Sequence, residues 1–391
     1  MLFIIKFGKR LIRKAGRELI TIFTKRIPNR IILIIESSGG SNTYSLLKNL
    51  PDNLVNSYDV ITYYDSSETG KGIKHFFKKY RLISSAKLII TTHASYKPSR
   101  RHIHYQLWHG SLIKTSGVME HKREGRKLKL PWKSVDYIMS YSETYTTFLN
   151  AQMLSVPWKY KVTGAPRNDF LFHSDGKSNL IKILNNSILE KKIIFHLPTW
   201  RGDADIESKN NSNSKSKSNI FGFSEFDAIK FDTFLEDHNC KLIFKPHPHE
   251  DDMAQAFIAE NNLKNVLIIN NADLFQNGFD LYEVLNVADI LITDYSSVFN
   301  DFLLLDRPII FASSDLDSYR EGRGFVIESF EDWVPGPTAF DQSELQVEIE
   351  KSLVLDDYYC EKRKAQLNLQ HRYKDGKSSE RVWEFISTIM R

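Results

Sequence analysis

Residues 31–47 read IILIIESSGGSNTYSLL, and this stretch decides the fold class. The run Ile31–Ile35 is apolar without alternation, which is typical of a strand buried on both faces. Polar residues and glycines at 36–40 predict a turn, and Tyr44–Leu47 begins a helix. A continuous apolar strand followed by a helix indicates a parallel sheet covered by helices on both sides.

The same unit recurs along the chain in two series. The first series predicts strands at 31–35, 60–63, 88–91, 105–108 and 137–140, and the second at 193–196, 242–245, 266–269, 290–293 and 309–311. Two such series predict an α/β protein with two facing, doubly wound, Rossmann-like domains, at residues 29–178 and 179–391. Residues 207–219 contain no apolar side chain and predict a flexible loop, either a surface insertion or a mobile lid.

The N-terminal segment 1–28 has its own character. Nine of the first 30 residues are basic and one is acidic, although the net charge of the 391-residue chain is only +5. Positive charge confined to one end argues against a general nucleic-acid binder. Apolar residues at helical spacing predict a basic amphipathic helix that ends before Pro28 and lies on an anionic membrane surface. The alternative is a helix that packs on its own domain.

Two cysteines, Cys240 and Cys360, are too few for a disulfide framework or a cysteine-rich zinc site, and they fit a reducing cytosol. No apolar run reaches the roughly 18 residues that a transmembrane helix requires. The opening apolar patch is also too short for a signal peptide.

Ligands of parallel sheets bind beyond the carboxyl ends of the strands, so the residues after each strand are the candidate site. His109 follows one strand and precedes Lys114, and a histidine there could act as a general base or be structural. His247 and His249 follow another strand, where two prolines fix the backbone; a phosphate contact fits better than zinc, with a solvated turn as the alternative.

Further strand ends offer groups that suit phosphate. Ser296 and Ser297 follow the strand 290–293 at the start of a helix, where free N–H groups form an anion site or an ordinary capped turn. Thr199, Arg201 and Arg323 offer additional hydroxyl and guanidinium donors. Walker-A, G-x-G-x-x-G and G-x-S-x-G motifs are lacking, which argues against ATPases, ordinary dehydrogenases and serine hydrolases of the usual kind.

Taken in order, these segments resemble the CDP-glycerol glycerophosphotransferase family of teichoic acid primases and polymerases. The matching segments are Trp108–Ser111 with Lys114, Gly164–Asp169, Leu197–Arg201, His247–Pro248, Thr293–Val298 with Asp301, Arg323–Phe325 and Pro335–Pro337. The departures from the family motifs are mild. Ser111 stands where the family has Thr, and Leu197 stands where it has Ala. Ala165 takes a place often held by Tyr, and Lys245 a place often held by Arg.

The resemblance implies a GT-B fold and transfer of a polyol phosphate from CDP-glycerol or CDP-ribitol to a lipid-linked acceptor or a wall or capsule polymer, at the cytoplasmic face of the membrane. No cofactor and no metal-binding residues are predicted. It implies catalytic roles for His109 and His247. It implies donor or phosphate contacts for Lys114, Arg167, Thr199, Arg201, His249, Asp294, Ser296, Ser297, Asp301 and Arg323. The alternatives are a GT-B glycosyltransferase that uses a nucleotide sugar, and a non-enzymatic membrane scaffold that binds an anionic polymer.

Overall fold

The computed structural model describes residues 2–36, 39–64, 72–93, 96–110, 113–120, 130–185, 188, 190–199, 219–327 and 329–391, with the backbone alone for residues 2–11. Within these residues the strands form two parallel sheets of six, with helices packed against them. The predicted loop 207–219 lies outside the described residues except for its last one.

The first sheet has the order β2-β1-β3-β4-β5-β6, and every pair in it is parallel. The chain winds first to one side of β1 and then to the other, so the winding direction reverses between β1 and β3. Such a switch point leaves a crevice at the carboxyl ends of the two strands. The strands are β1 Arg30–Ile35, β2 Asp59–Tyr64, β3 Leu88–Thr91, β4 Ile103–Gln106, β5 Tyr137–Ser140 and β6 Tyr160–Val162.

The second sheet has the order β12-β11-β10-β7-β8-β9, again with parallel pairs throughout. Its switch point lies between β7 and β10. The strands are β7 Lys192–Leu197, β8 Cys240–Phe244, β9 Val266–Ile268, β10 Ile290–Thr293, β11 Ile309–Ala312 and β12 Thr338–Ala339.

Every predicted strand is present, although β4 lies two residues before its predicted position. The sequence missed β6 and β12, because a three-residue strand with a central lysine and a two-residue strand give no apolar run.

Helices connect most of the strands and pack against the sheets. In chain order they are α1 Leu2–Phe23, α2 Asn42–Lys48, α3 Asp52–Val55, α4 Ile73–Ser84, α5 Glu143–Met153, α6 Asp169–His173, α7 Gly176–Leu184, α8 Ala228–Asp237, α9 Asp251–Glu260, α10 Asn271–Gln276, α11 Tyr282–Leu285, α12 Val298–Phe302, α13 Leu316–Gly322, α14 Phe330–Trp333, α15 Gln342–Val354, α16 Cys360–Gln370 and α17 Ser378–Met390.

The last helix returns to the first sheet. Trp383 of α17 is buried in the same core as Ile31 and Leu88, and its indole N–H donates to the Leu46 carbonyl at 3.0 Å. The predicted second domain, 179–391, includes this helix, whereas its buried side chains lie in the core of the first unit. Local sequence pattern cannot show this, because an amphipathic helix buries its apolar face against whichever sheet the connection reaches.

The predicted N-terminal helix is present as α1, and its position bears on the two alternatives above. One face of α1 packs on α4: Ile20 is buried, the Thr21 hydroxyl lies 3.0 Å from that of Ser84, and the Arg17 guanidinium lies over the Tyr80 ring. The other face exposes apolar side chains to solvent, namely Ile12, Leu19, Ile22 and Phe23. Within the described residues, no helix has the length and apolar character required to cross a bilayer.

Candidate active site

The carboxyl ends of the two sheets face each other across one cleft. The Ser297 hydroxyl, after β10, donates to the His109 carbonyl, after β4, at 3.3 Å. Asp280 of the second unit accepts hydrogen bonds from the backbone N–H groups of Gly40 and Ser41, which follow β1. Residues far apart in sequence therefore meet where the strand-end rule predicts a ligand.

His109 is held in one orientation and one tautomer. Its Nδ1 lies 2.9 Å from the Thr92 carbonyl oxygen, which can only accept, so Nδ1 carries the hydrogen and Nε2 carries a lone pair. The Trp108 ring flanks the imidazole at 4.5 Å between centroids, and Trp108 has a positive φ of 33°. Gly110 admits the indole, because a Cβ there would lie 2.6 Å from its nitrogen. The geometry leaves Nε2 available as a proton acceptor.

A cavity of about 470 Å³ collects four of the predicted residues, His109, Lys114, Ser297 and Arg323. Ser297 and Arg323 come from the second unit and the other two from the first, so both units build this cavity. Its remaining wall is formed by His93, Trp108, Gly110, Ser116, Gly117, Glu120, Pro131, Trp132 and Met153.

A short antiparallel contact between the units positions the two cations of the cavity. Lys114 forms a β-bridge with Phe325, and the Thr115 N–H donates to the Gly324 carbonyl at 3.1 Å. The Arg323 Nε in turn donates to the Thr115 carbonyl at 3.1 Å. Two segments that resemble separate family motifs thus bond to each other and place Lys114 and Arg323 beside one cavity.

Burial and positive neighbours disfavour a charge on His109. Burial first, and then the adjacent His93, lower the pKa of His109 to about 3, while the bond to Thr92 raises it and Arg167 and Lys114 lower it. The imidazole is therefore neutral near pH 7 in the protein without ligands. A bound phosphate anion would raise this pKa, since it would stabilise the imidazolium.

A second group of predicted residues lies at the switch point of the second sheet. Asp294 is buried, and its carboxylate accepts hydrogen bonds from the backbone N–H groups of Thr199, at 2.8 Å, and of Ser296, at 3.1 Å. The Asp294 carboxylate therefore connects the segments that follow β7 and β10. The structure shows Asp294 bonded to the backbone after both strands, and its predicted phosphate contact stays a prediction.

His247 and His249 follow β8, the neighbour of β7 in the second sheet. Their rings lie 5.2 Å apart, and neither lines the cavity around His109. Burial lowers the pKa of His247 to about 4, with smaller contributions from His249 and Lys245. The structure thus separates the two histidines predicted to be catalytic into two regions of the cleft.

Arg167 and Asp301 form a buried ion pair between the units. The Arg167 Nη2 lies 2.6 Å from the Asp301 Oδ2, and the side chains of both residues are at most 5% exposed. The same guanidinium donates to the carbonyls of Gly40, at 3.1 Å, and His109, at 3.3 Å, while the Tyr282 hydroxyl donates to Asp301. This network joins the two units, and the predicted phosphate contacts of Arg167 and Asp301 stay predictions.

Arg201 lies outside the described residues, so its predicted phosphate contact stays a prediction. Among the residues that the structure does describe, no group of three or more His, Cys, Asp or Glu side chains is placed to hold a metal ion.

The sequence reasoning missed several residues of the cleft. Glu36 and His93 lie at the β1–β3 switch point, Glu120 lines the cavity, and Asp280 bonds to the turn after β1. Glu36 and His93 lie one and two residues after predicted strands, so the strand-end rule could have found them. Glu120 and Asp280 lie in loops, where no local signal marks them.

Two facing parallel sheets that share one cleft define a two-unit α/β protein of the GT-B class. The chain superposes on the wall teichoic acid polymerase TagF with a TM-score of 0.73 at 20% identity, covering 99% of this chain and 96% of that one. The TM-score is 0.75 for a TagF variant soaked with CDPG, at the same identity and coverage. At this identity the likeness shows the fold.

The family follows from the sequence match. The chain belongs to the CDP-glycerol:poly(glycerophosphate) glycerophosphotransferase family, whose model matches residues 22–388. It is 28% identical over 321 residues to a teichoic acid poly(glycerol phosphate) polymerase of Bacillus subtilis (strain 168), covering 75% of this chain and 38% of that protein. It is 27% identical to a teichoic acid glycerol-phosphate transferase of Staphylococcus aureus (strain NCTC 8325 / PS 47), covering 92% and 94%. The chain spans between 38% and 59% of the first four curated relatives it matches.

Proposed function

We propose that this protein transfers a polyol phosphate from a CDP-polyol to a hydroxyl of an acceptor, with release of CMP. The observation that carries the proposal is a neutral, tautomer-fixed His109 in a cavity that also holds Lys114, Arg323 and Ser297. A base and cations from two facing units suit a reaction that joins a hydroxyl to a phosphorus atom. Membership of the family supports the same reaction.

In this reaction the acceptor oxygen attacks the phosphorus that carries the polyol, and the bond from that phosphorus to the CMP oxygen breaks. The hydroxyl proton moves to Nε2 of His109. Lys114 and Arg323 offset the negative charge on the phosphoryl oxygens, and the Ser297 hydroxyl is an additional donor. Because a bound diphosphate raises the pKa of His109, the base gains strength once the donor is in place.

The donor nucleotide is assigned to the second unit. Thr199, Ser296 and His247 follow the neighbouring strands β7, β10 and β8, where a crevice for a nucleotide lies in doubly wound sheets. His247 and the backbone after β10 would contact the diphosphate. Lysine, serine and arginine at the His109 cavity then meet the transferred phosphoryl group between the units.

Incubation with CDP-glycerol or CDP-ribitol and a lipid-linked acceptor, with detection of CMP, tests the proposal. We expect CMP only when donor and acceptor are both present. Absence of CMP above background with every CDP-alcohol would refute it. A thermal-shift panel of CDP-alcohols against UDP-, GDP- and CMP-sugars tests the glycosyltransferase alternative, since a bound ligand raises the melting temperature.

The identity of the polyol and of the acceptor belongs to the same proposal. The relatives named above are a poly(glycerol phosphate) polymerase and a glycerol-phosphate transferase, and further relatives are ribitol-phosphate polymerases. These names support either CDP-glycerol or CDP-ribitol as the donor. A lipid-linked teichoic acid or capsule chain is the proposed acceptor. Mass spectrometry of the product formed on a defined acceptor distinguishes these possibilities by the mass added in each transfer.

We also propose that α1 brings the protein to the cytoplasmic face of the membrane as a peripheral protein. This helix exposes Ile12, Ile22 and Phe23 and also carries Arg13 and Lys14, a combination that suits the interface of an anionic bilayer. Deletion of residues 2–23 should move the protein from the pellet of anionic vesicles to the supernatant. High salt should do so in part, because it screens the charges. If neither the deletion nor high salt alters sedimentation with the vesicles, the proposal is refuted.

A further inference from the structure

Glu36 and His93 occupy the switch point of the first sheet, next to His109. Glu36 is the first residue after β1 and His93 the second after β3, and the winding reverses between these two strands. His93 lines the same cavity as His109, and its side chain is 43% exposed, whereas that of Glu36 is 12% exposed. A carboxylate and an imidazole thus stand beside the candidate base at the place where such sheets bind ligands.

The Glu36 carboxylate fixes the turn that holds His109. Its Oε2 accepts hydrogen bonds from the His93 backbone N–H at 2.8 Å and from the Thr92 hydroxyl at 3.3 Å. The carbonyl of Thr92 is the group that receives the Nδ1–H of His109. The orientation of the base is therefore connected to Glu36 through a single residue, Thr92. Such connections keep reacting groups in productive geometry.

The His93 ring stacks directly on the His109 ring. Their centroids are 3.6 Å apart and the planes differ by 20°, while Trp108 flanks His109 at 4.5 Å. Two positive imidazoles at this separation would repel each other, and the adjacent His93 accordingly lowers the pKa of His109. The His93 Nδ1 lies 3.2 Å from the Glu36 carboxylate, whereas the charged neighbours of His109 besides His93 are Lys114 and Arg167. A carboxylate therefore lies beside His93, while the positive neighbours of His109 disfavour a proton on the His109 ring.

We propose that Glu36 and His93 form a positioning unit for His109, which orients its ring and keeps Nε2 unprotonated until the acceptor hydroxyl arrives. This inference rests on the proposed function, since it assigns the reason why His109 is available as the base. In the transfer step the hydroxyl proton moves to Nε2 of His109. The Glu36 carboxylate and the phosphates of the donor offset the added positive charge, and His93 gives up no proton.

The test compares H93F, which keeps a flat ring in the stack without an ionisable group, with E36Q, which keeps the shape but removes the charge. H238F serves as the matched control, because His238 also contacts an aromatic ring, that of Phe234, and bonds to the carbonyl of that residue away from the cavity. Circular dichroism and the melting temperature verify that each variant is folded.

Two readouts are measured on each variant. The first is the pH dependence of kcat/KM for CMP release from CDP-glycerol. The second is an NMR titration of the imidazole nitrogens in the ligand-free protein, with His109 assigned through H109N. In H93F the midpoint of His109 and the acid limb of the rate profile should both move to higher pH, by about one unit for an interacting pair.

We expect the loss of orientation to lower kcat/KM by about 10- to 100-fold in E36Q, by analogy with the range seen when groups that orient a metal-bound imidazole are removed. H238F should match the wild type in both readouts. If H93F leaves the His109 midpoint and the acid limb unchanged, the positioning unit is refuted. If the midpoint moves but no CDP-alcohol yields CMP even with the wild type, the proposed function fails while the coupling of the imidazoles stands.

Discussion

Replacement of Arg167 by methionine should destabilise the protein severely, because it leaves the buried Asp301 carboxylate without its partner. The two charges lie 2.6 Å apart, a separation at which they attract by about 6 kcal/mol at an effective dielectric constant of about 20. Part of that attraction offsets the cost of removing both ions from water. Removal of one member of a buried pair typically costs about 3–5 kcal/mol, and we expect a loss of that size in R167M.

The pair also connects the two units, so the loss should appear in function. Arg167 lies in the first unit, near His109, and Asp301 lies in α12 of the second. R167K keeps the charge but loses the planar fork that reaches Asp301 and two carbonyls together, so we expect an intermediate effect.

Differential scanning calorimetry of R167M, D301N and the double variant provides a double-mutant cycle. If the two charges are partners, the double variant should be clearly more stable than the sum of the single losses predicts, since neither charge is left buried alone. Strictly additive losses would refute the pairing. A normal melting temperature in R167M together with weakened CDP-glycerol binding would show instead that Arg167 is a phosphate contact.

H109A should lower kcat by about 10²- to 10⁴-fold while donor binding stays nearly intact, whereas S297A should weaken donor binding in a titration calorimeter; preserved kcat in H109A would exclude a general base. Burial raises the pKa of Asp280 to about 6, above an unfolded value of about 3.9. The contribution of protonated Asp280 to the free energy of unfolding is present below about pH 4 and is lost as the pH rises through about 6. D280N should abolish this pH dependence when thermal unfolding is measured between these limits. Replacement of the exposed Ile22 and Phe23 by serine should reduce sedimentation with anionic vesicles without changing the melting temperature, because neither side chain is buried.

The sequence alone predicted the fold class correctly. Strands such as Ile31–Ile35 and Ile290–Thr293 are apolar without interruption, since both faces of a parallel sheet are covered by helices. This apolar pattern is local, so it identifies a buried strand even when the neighbouring strands are unknown. The same rule, applied to the residues after each strand, found His109 and Ser297, which the structure brings to one cavity.

The resemblance to a family supplied residues that no local pattern marks, among them Arg167 and Asp301. It gave their identity but not their environment. The structure places the two side chains together in a buried ion pair between the units. A sequence does not distinguish a charged residue that is buried and paired from one that is exposed and available for a ligand. The distinction depends on which groups the fold packs against that residue.

Tertiary structure alone decided the remaining features. The return of α17 to the first sheet, the bond of Asp280 to the turn after β1 and the stacking of His93 on His109 all join residues that are distant in the chain. Periodicity and turn chemistry act over a few residues and therefore determine strands, helices and the loops between them. The choice of partner between distant elements is made by burial of complementary surfaces, and a single sequence does not record which surfaces meet.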